Sequence, residues 1–123
     1  MNNENFIIIY RWMHAELDLK GNEEKVFAYI YGITKDYESF CTSSHATIAD
    51  MCNCDVSTVK RAINDLKKKK YIDKRTWESE KNVTFCKYWV KNIEEIRKKK
   101  RREKLMKEAE EEIKKRKKRK NKK

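Results

Sequence analysis

Apolar residues between Ile48 and Ile63 keep a helical spacing that breaks phase once, at Asn53. Two helices meeting at a tight turn require such a break, with Ile48, Cys52, Cys54, Val59 and Ala62 turned to one core. Small Ala49 lets the second helix cross close over the first. Asn53 is the pivot, since asparagine tolerates a left-handed backbone second only to glycine. Asp55 is expected to cap the second helix, its carboxylate accepting from the backbone N–H groups around Ser57 and Thr58, a bond whose loss costs about 1 kcal/mol. The pattern predicts a helix-turn-helix.

The flanking pattern extends it. Asn22 to Thr34 carries Val26, Phe27, Tyr29, Ile30 and Ile33 on a helical stripe, with Glu23 and Glu24 near the start and Gly32 marking the exit into a loop. Ser44 is the expected N-cap of a helix running to about Met51, and the helix after the turn spans Val56 to about Lys69. Ile72 to Trp77 and Val83 to Val90, rich in Thr, Val and aromatics, predict a β-hairpin turning at Glu78 to Asn82. Its buried face is open between Val83, Phe85 and Trp89 and the set Cys86, Tyr88 and Val90. Phe6 to Tyr10 is β-prone and leads into a short helical segment, Trp12 to Leu17. As a strand it needs a partner, either an edge of the hairpin or its own copy in a homodimer. The expected fold class is mainly α with a small β-hairpin, a winged helix-turn-helix.

Charge divides the chain. Of its 32 Lys/Arg and 20 Asp/Glu, 14 and 13 lie in residues 1–90, against 18 and 7 in residues 91–123, so nearly all of the +12 net charge belongs to the last stretch. Residues 1–90 are the expected winged-helix domain, and its affinity for a polyanion must rest on where its few cations sit. In the tail, Glu94/Lys98, Glu95/Lys99, Glu103/Lys107, Glu110/Lys114, Glu111/Lys115 and Glu112/Arg116 are i,i+4 pairs in the favourable order, each worth about 0.2–0.5 kcal/mol. They predict a solvated helix to about Arg116, with Lys117 to Lys123 disordered. Ile93, Ile96, Leu105, Met106, Ala109 and Ile113 are too sparse for a heptad seam.

Phe6 to Tyr10 is too short for a secretory signal, and no stretch is long and apolar enough to span a membrane. A cytoplasmic, nucleoid-associated or phage-encoded protein is expected, with Cys41, Cys52, Cys54 and Cys86 as free thiols. Cys-x-Cys lies outside the usual zinc spacing, so no metal or cofactor is called for. No paired carboxylates, nucleophile with a histidine, or phosphate-cradling glycine loop is present, which argues against an enzyme.

Several pieces resemble a known family: Trp12-Met13, Leu19-Lys20-Gly21-Asn22-Glu23, Tyr29-Ile30-Tyr31-Gly32, and Ser57-Thr58-Val59 leading to Leu66-Lys67-Lys68-Lys69-Lys70-Tyr71-Ile72. From about Ile8 to Val90 the chain is similar to the N-terminal winged-helix domain of phage replisome organisers and DnaD-like primosomal proteins. The resemblance implies origin-DNA binding in replication initiation and contact with replication proteins. Such proteins usually continue into a second helical domain, where this chain has only the charged tail.

Double-stranded DNA is the expected partner. A recognition helix in the major groove brings its N-terminal turns nearest the bases, nominating Val56, Ser57, Lys60 and Arg61. Ser43, Ser44 and His45 open the preceding helix, where backbone N–H groups can grip phosphate. Lys74, Arg75 and Lys81 on the wing are candidates for backbone or groove contact, and Trp77 is expected to pack against a helix end, with stacking on a base as the alternative. His45 is expected to be exposed, and the Lys67 to Lys70 run to be a solvated helix end. The tail would add unspecific, salt-sensitive affinity. A transcription repressor is the alternative within DNA binding, and a protein-interaction adaptor the alternative outside it.

Overall fold

The computed structural model describes residues 7–35 and 39–120. Among these described residues five helices and two strands follow in order: α1 (Arg11–Ala15), α2 (Gly21–Thr34), α3 (His45–Cys52), α4 (Val56–Lys68), β1 (Ile72–Glu78), β2 (Thr84–Val90) and α5 (Ile93–Lys120). They fall into two compact units, one up to Ile93 and one from Glu94 onward. The first unit reaches past the expected boundary at Val90, because Ile93 is buried and the Lys91 N–H donates to the Tyr71 carbonyl at 3.0 Å. No helix among the described residues is long and apolar enough to cross a membrane.

The core of the first unit gathers the apolar faces of α2, α3 and α4. Val26, Phe27 and Ile30 from α2 meet Ile48 and Cys52 from α3 and Val59, Ile63 and Leu66 from α4, all of them buried. Tyr29, Ile33 and Cys54 reach only its half-buried margin. Gly21 opens α2 at φ +54°, with nothing within 4 Å of where a Cβ would stand. Its backbone conformation, not lack of space, selects glycine there. Thr34 is buried at the other end, its hydroxyl donating to the Ile30 carbonyl at 2.9 Å and accepting the Val90 N–H at 3.3 Å.

The turn between α3 and α4 follows from Asn53. Its φ and ψ of 54° and 52° are left-handed, which aims its N–H at the Asp50 carbonyl (3.2 Å) and the Cys54 N–H at the Ala49 carbonyl (3.0 Å). Both bonds satisfy carbonyls that a helix end leaves open. Ser44 caps α3 as expected, its Oγ accepting the Thr47 N–H at 3.1 Å. Asp55 takes the N-cap position of α4, but its side chain makes no capping bond. Only its carbonyl serves the helix, accepting the Val59 N–H at 3.1 Å, while the residue stays exposed.

The hairpin is antiparallel in the register Ile72↔Val90, Lys74↔Tyr88 and Thr76↔Cys86. Ile72, Tyr88 and Val90 are buried, so the face with Cys86 turns inward. The strand expected at Phe6 to Tyr10 does not form over its described part, Ile7 to Tyr10; Phe6 lies outside the described residues. Tyr10 instead stacks on Trp12 (ring centroids 6.0 Å apart) and meets Tyr31 edge-on (5.7 Å), while Ile8 and Ile9 stay exposed. Cys41 occupies the free edge of β2. It exchanges two backbone hydrogen bonds with Tyr88, each of 2.9 Å.

In the second unit, α5 continues to Lys120, past Arg116. Glu112 and Arg116 form one of the expected pairs at 3.7 Å, and Leu105, Met106 and Ile113 are exposed. Lys117 to Lys120 therefore extend the helix where the sequence predicts disorder. The final three residues lie outside the described ones.

His45 is not the exposed residue expected from sequence. Its Nε2 lies 2.8 Å from the Tyr88 hydroxyl, tying the first residue of α3 to β2. Burial, then the charges of Lys74 and Lys60, hold its pKa below the ordinary 6.5. The unfolded chain therefore binds this proton more readily than the folded one, so the stabilisation is full above pH 6.5 and is lost as pH falls through the lower folded value. His45→Gln should flatten that acid limb in urea titrations. At the turn, Asn53→Val should cost about 1–2 kcal/mol, since a β-branched residue resists left-handed geometry, whereas Asn53→Gly should shift the urea midpoint little.

Candidate nucleic-acid interface

Helix α4 buries Val59, Ala62, Ile63 and Leu66 and thereby turns Val56, Ser57, Lys60 and Arg61 outward on adjacent turns. All four predicted recognition residues are exposed. Their spacing of one, four and five residues places them on one stripe at the helix N-terminal end. Asn64, four residues beyond Lys60, is exposed on the same stripe and was missed from sequence. Its amide has the two-point geometry that pairs with adenine, and the period of 3.6 alone would have found it.

Tyr88 brings His45 and Lys74 to one place, its hydroxyl against the imidazole and its ring beside the ammonium. The charges of Lys74 and Lys60 both help to lower the pKa of His45, after burial. Lys74 is half-buried on the inward face of the hairpin, its Nζ 5.9 Å from the centre of the Tyr88 ring. Ser43 shares a hydrogen bond of 2.7 Å with the Tyr29 hydroxyl, and the Ser44 oxygen is engaged in the cap. These hydroxyls chiefly hold the start of α3 in place, and the positive end of its dipole is what that helix offers an anion. A cleft of about 410 Å³ opens beside it, between Thr42 to His45 and the β2 residues Thr84 to Cys86 and Tyr88.

Other predicted positions separate from this surface. Arg75 pairs across the hairpin with Lys87 and so projects from the face opposite Lys74 and Tyr88. Lys81 sits exposed in the turn after β1, its N–H 3.3 Å from the Ser79 oxygen. Trp77 does not pack against a helix end; it stacks on Phe85, its register partner, with ring centroids 5.7 Å apart. Within the lysine run, Lys69 is not simply solvated. Its ammonium bonds to Glu23 of α2 at 2.6 Å, and that bond raises its pKa.

A family model described as a helix-turn-helix domain matches residues 17–72. No protein of curated function matches the sequence. Among solved structures, a Methanosarcina mazei Go1 protein described as a possible transcriptional regulator shares the fold with a TM-score of 0.63 at 16% identity, over 89% of this chain and 97% of that one. A mutant of MepR from S. aureus is a looser match, with a TM-score of 0.49 at 14% identity over 81% of this chain and 67% of that one. The role in initiation rests on the sequence resemblance alone. The chain carries a helix-turn-helix domain built on a winged-helix fold.

Proposed function

We propose that the protein is a transcription regulator that binds double-stranded DNA, with α4 in the major groove and the start of α3 and Lys74 against the phosphate backbone. The observation that carries this reading is the exposed stripe of Val56, Ser57, Lys60, Arg61 and Asn64 beside His45 and Lys74. Arg61 is the proposed guanine reader and Val56 a partner for a thymine methyl group. The regulatory role is supported by the Methanosarcina protein that shares the fold and is described as a possible transcriptional regulator. Binding, without catalysis, is the proposed activity.

The α5 helix is proposed to act separately, as an unspecific phosphate-binding element. A footprint on DNA from the gene's own neighbourhood tests the role. Protection of its own promoter supports regulation, and protection of a repeated site beside replication genes moves the reading to initiation.

Two binding measurements probe the division of labour. Arg61→Ala should relax preference at one base position by about 1–3 kcal/mol, seen by anisotropy on a panel of single-base variants. A chain ended at Glu95 should bind every sequence more weakly and with a flatter salt dependence, yet keep its site preference. Loss of preference with affinity retained would overturn the proposed roles of α4 and α5.

A further inference from the structure

The outward face of the hairpin is used by nothing described so far. Trp77, Val83 and Phe85 lie there 40%, 48% and 43% exposed, beside Phe40 at 46%. A sheet face turned to water ordinarily carries polar side chains instead. Trp77 and Phe85 stack, Phe40 meets Trp89 edge-on at 5.5 Å, and the Lys87 ammonium lies between the two pairs. It is 4.1 Å from the Phe40 ring centre and 5.9 Å from that of Trp77. Arg75 stands directly across from Lys87.

Two cations opposed on neighbouring strands weaken a sheet unless an anion lies over them. Asp73, the carboxylate on this face, is bridged by Lys91 at 3.7 Å. Among the described residues, no ion pair joins Arg75 or Lys87 to a carboxylate. Exposed rings interleaved with such cations suit a single nucleic-acid strand, whose bases stack whatever their sequence while its phosphates meet the charges. A second copy of this face would instead oppose four cations, and an apolar protein surface would desolvate two without compensation.

We propose that this outward face binds single-stranded DNA, with bases stacked on Trp77 and Phe85 and phosphates held by Arg75 and Lys87. The choice of DNA over RNA rests on the duplex-DNA reading above, since an opened duplex supplies a free strand beside the wing.

The test uses the full chain, so that the basic helix is present in every arm, and compares a labelled thymidine strand with an abasic strand of equal length by anisotropy. Stacking predicts tighter binding of the thymidine strand, by about tenfold. Trp77→Ala with Phe85→Ala should abolish that preference while circular dichroism and duplex binding stay as in the parent. Arg75→Gln with Lys87→Gln should weaken both strands and lower the salt slope by about 0.7 for each phosphate no longer neutralised. Equal binding of the two strands by the parent, or a preference that survives removal of both rings, overturns the proposal. So does a dimer in sedimentation that the ring variant dissolves, which assigns the face to self-association. A uridine RNA strand bound tighter than thymidine overturns the assignment to DNA. Lys60→Ala with Arg61→Ala probes the duplex reading separately, since it should lower duplex preference and leave the thymidine-over-abasic ratio unchanged.

Discussion

Tyr88 is the joint on which the domain turns. Its backbone exchanges both hydrogen bonds with Cys41, which fastens the chain entering α3 to the edge of β2. Its ring is fully buried, and its hydroxyl meets His45 at the first turn of α3. Burial raises the pKa of the phenol, and the neighbouring Cys86 and Cys41 add to that, so it stays a neutral hydrogen-bonding group. One residue thus sets where the wing stands relative to the helix-turn-helix. Lys74, directly opposite it in the ladder, comes to the same side of the sheet as His45 as a consequence. A wing that moved would take with it the one cation that β1 contributes to this surface.

The domain has few cations to spend, and packing uses some of them. Lys69 is held by Glu23, which fixes the end of α4 against α2, and Lys91 is bridged to Asp73. At the start of α4 what faces outward is therefore a small set, Lys60 and Arg61, with half-buried Lys74 of β1 nearby and the exposed carboxylate of Asp55 beside them. Without a capping bond, that carboxylate contributes to α4 only through its charge near the positive end of the helix dipole. Its charge also opposes an approaching phosphate. Recognition by such a surface depends on geometry more than on field strength.

The helix-turn-helix was legible because each of its requirements is local. A phase break at Asn53, a cap at Ser44 and the inward set of α4 are decided within a few residues, and all three stand in the structure. What was not legible is tertiary. Ile7 to Tyr10 has strand propensity, yet it forms no strand within this chain, and only Tyr10 packs, against Trp12 and Tyr31. Cys41 carries no strand pattern of its own and pairs only because α3 must begin beside β2. His45 reads as a solvent residue until β2 brings Tyr88 to it from 43 positions away. Asp55 fails differently, since the residue type fixed the position but not the hydrogen bond.

The wing shows most clearly how backbone period sorts charge. Lys74 and Arg75 are neighbours in sequence and both read as candidates for DNA contact. A strand has a period of two, so they must leave the sheet on opposite faces. The inward face needs Tyr88 and Val90 in the core, and that requirement alone sends Lys74 toward His45 and Arg75 toward Lys87 and Trp77. The two cations therefore meet different surroundings, Lys74 the start of α3 and Arg75 the exposed rings. The outward face must be accounted for in its own right, with its aromatic rings and its opposed charges.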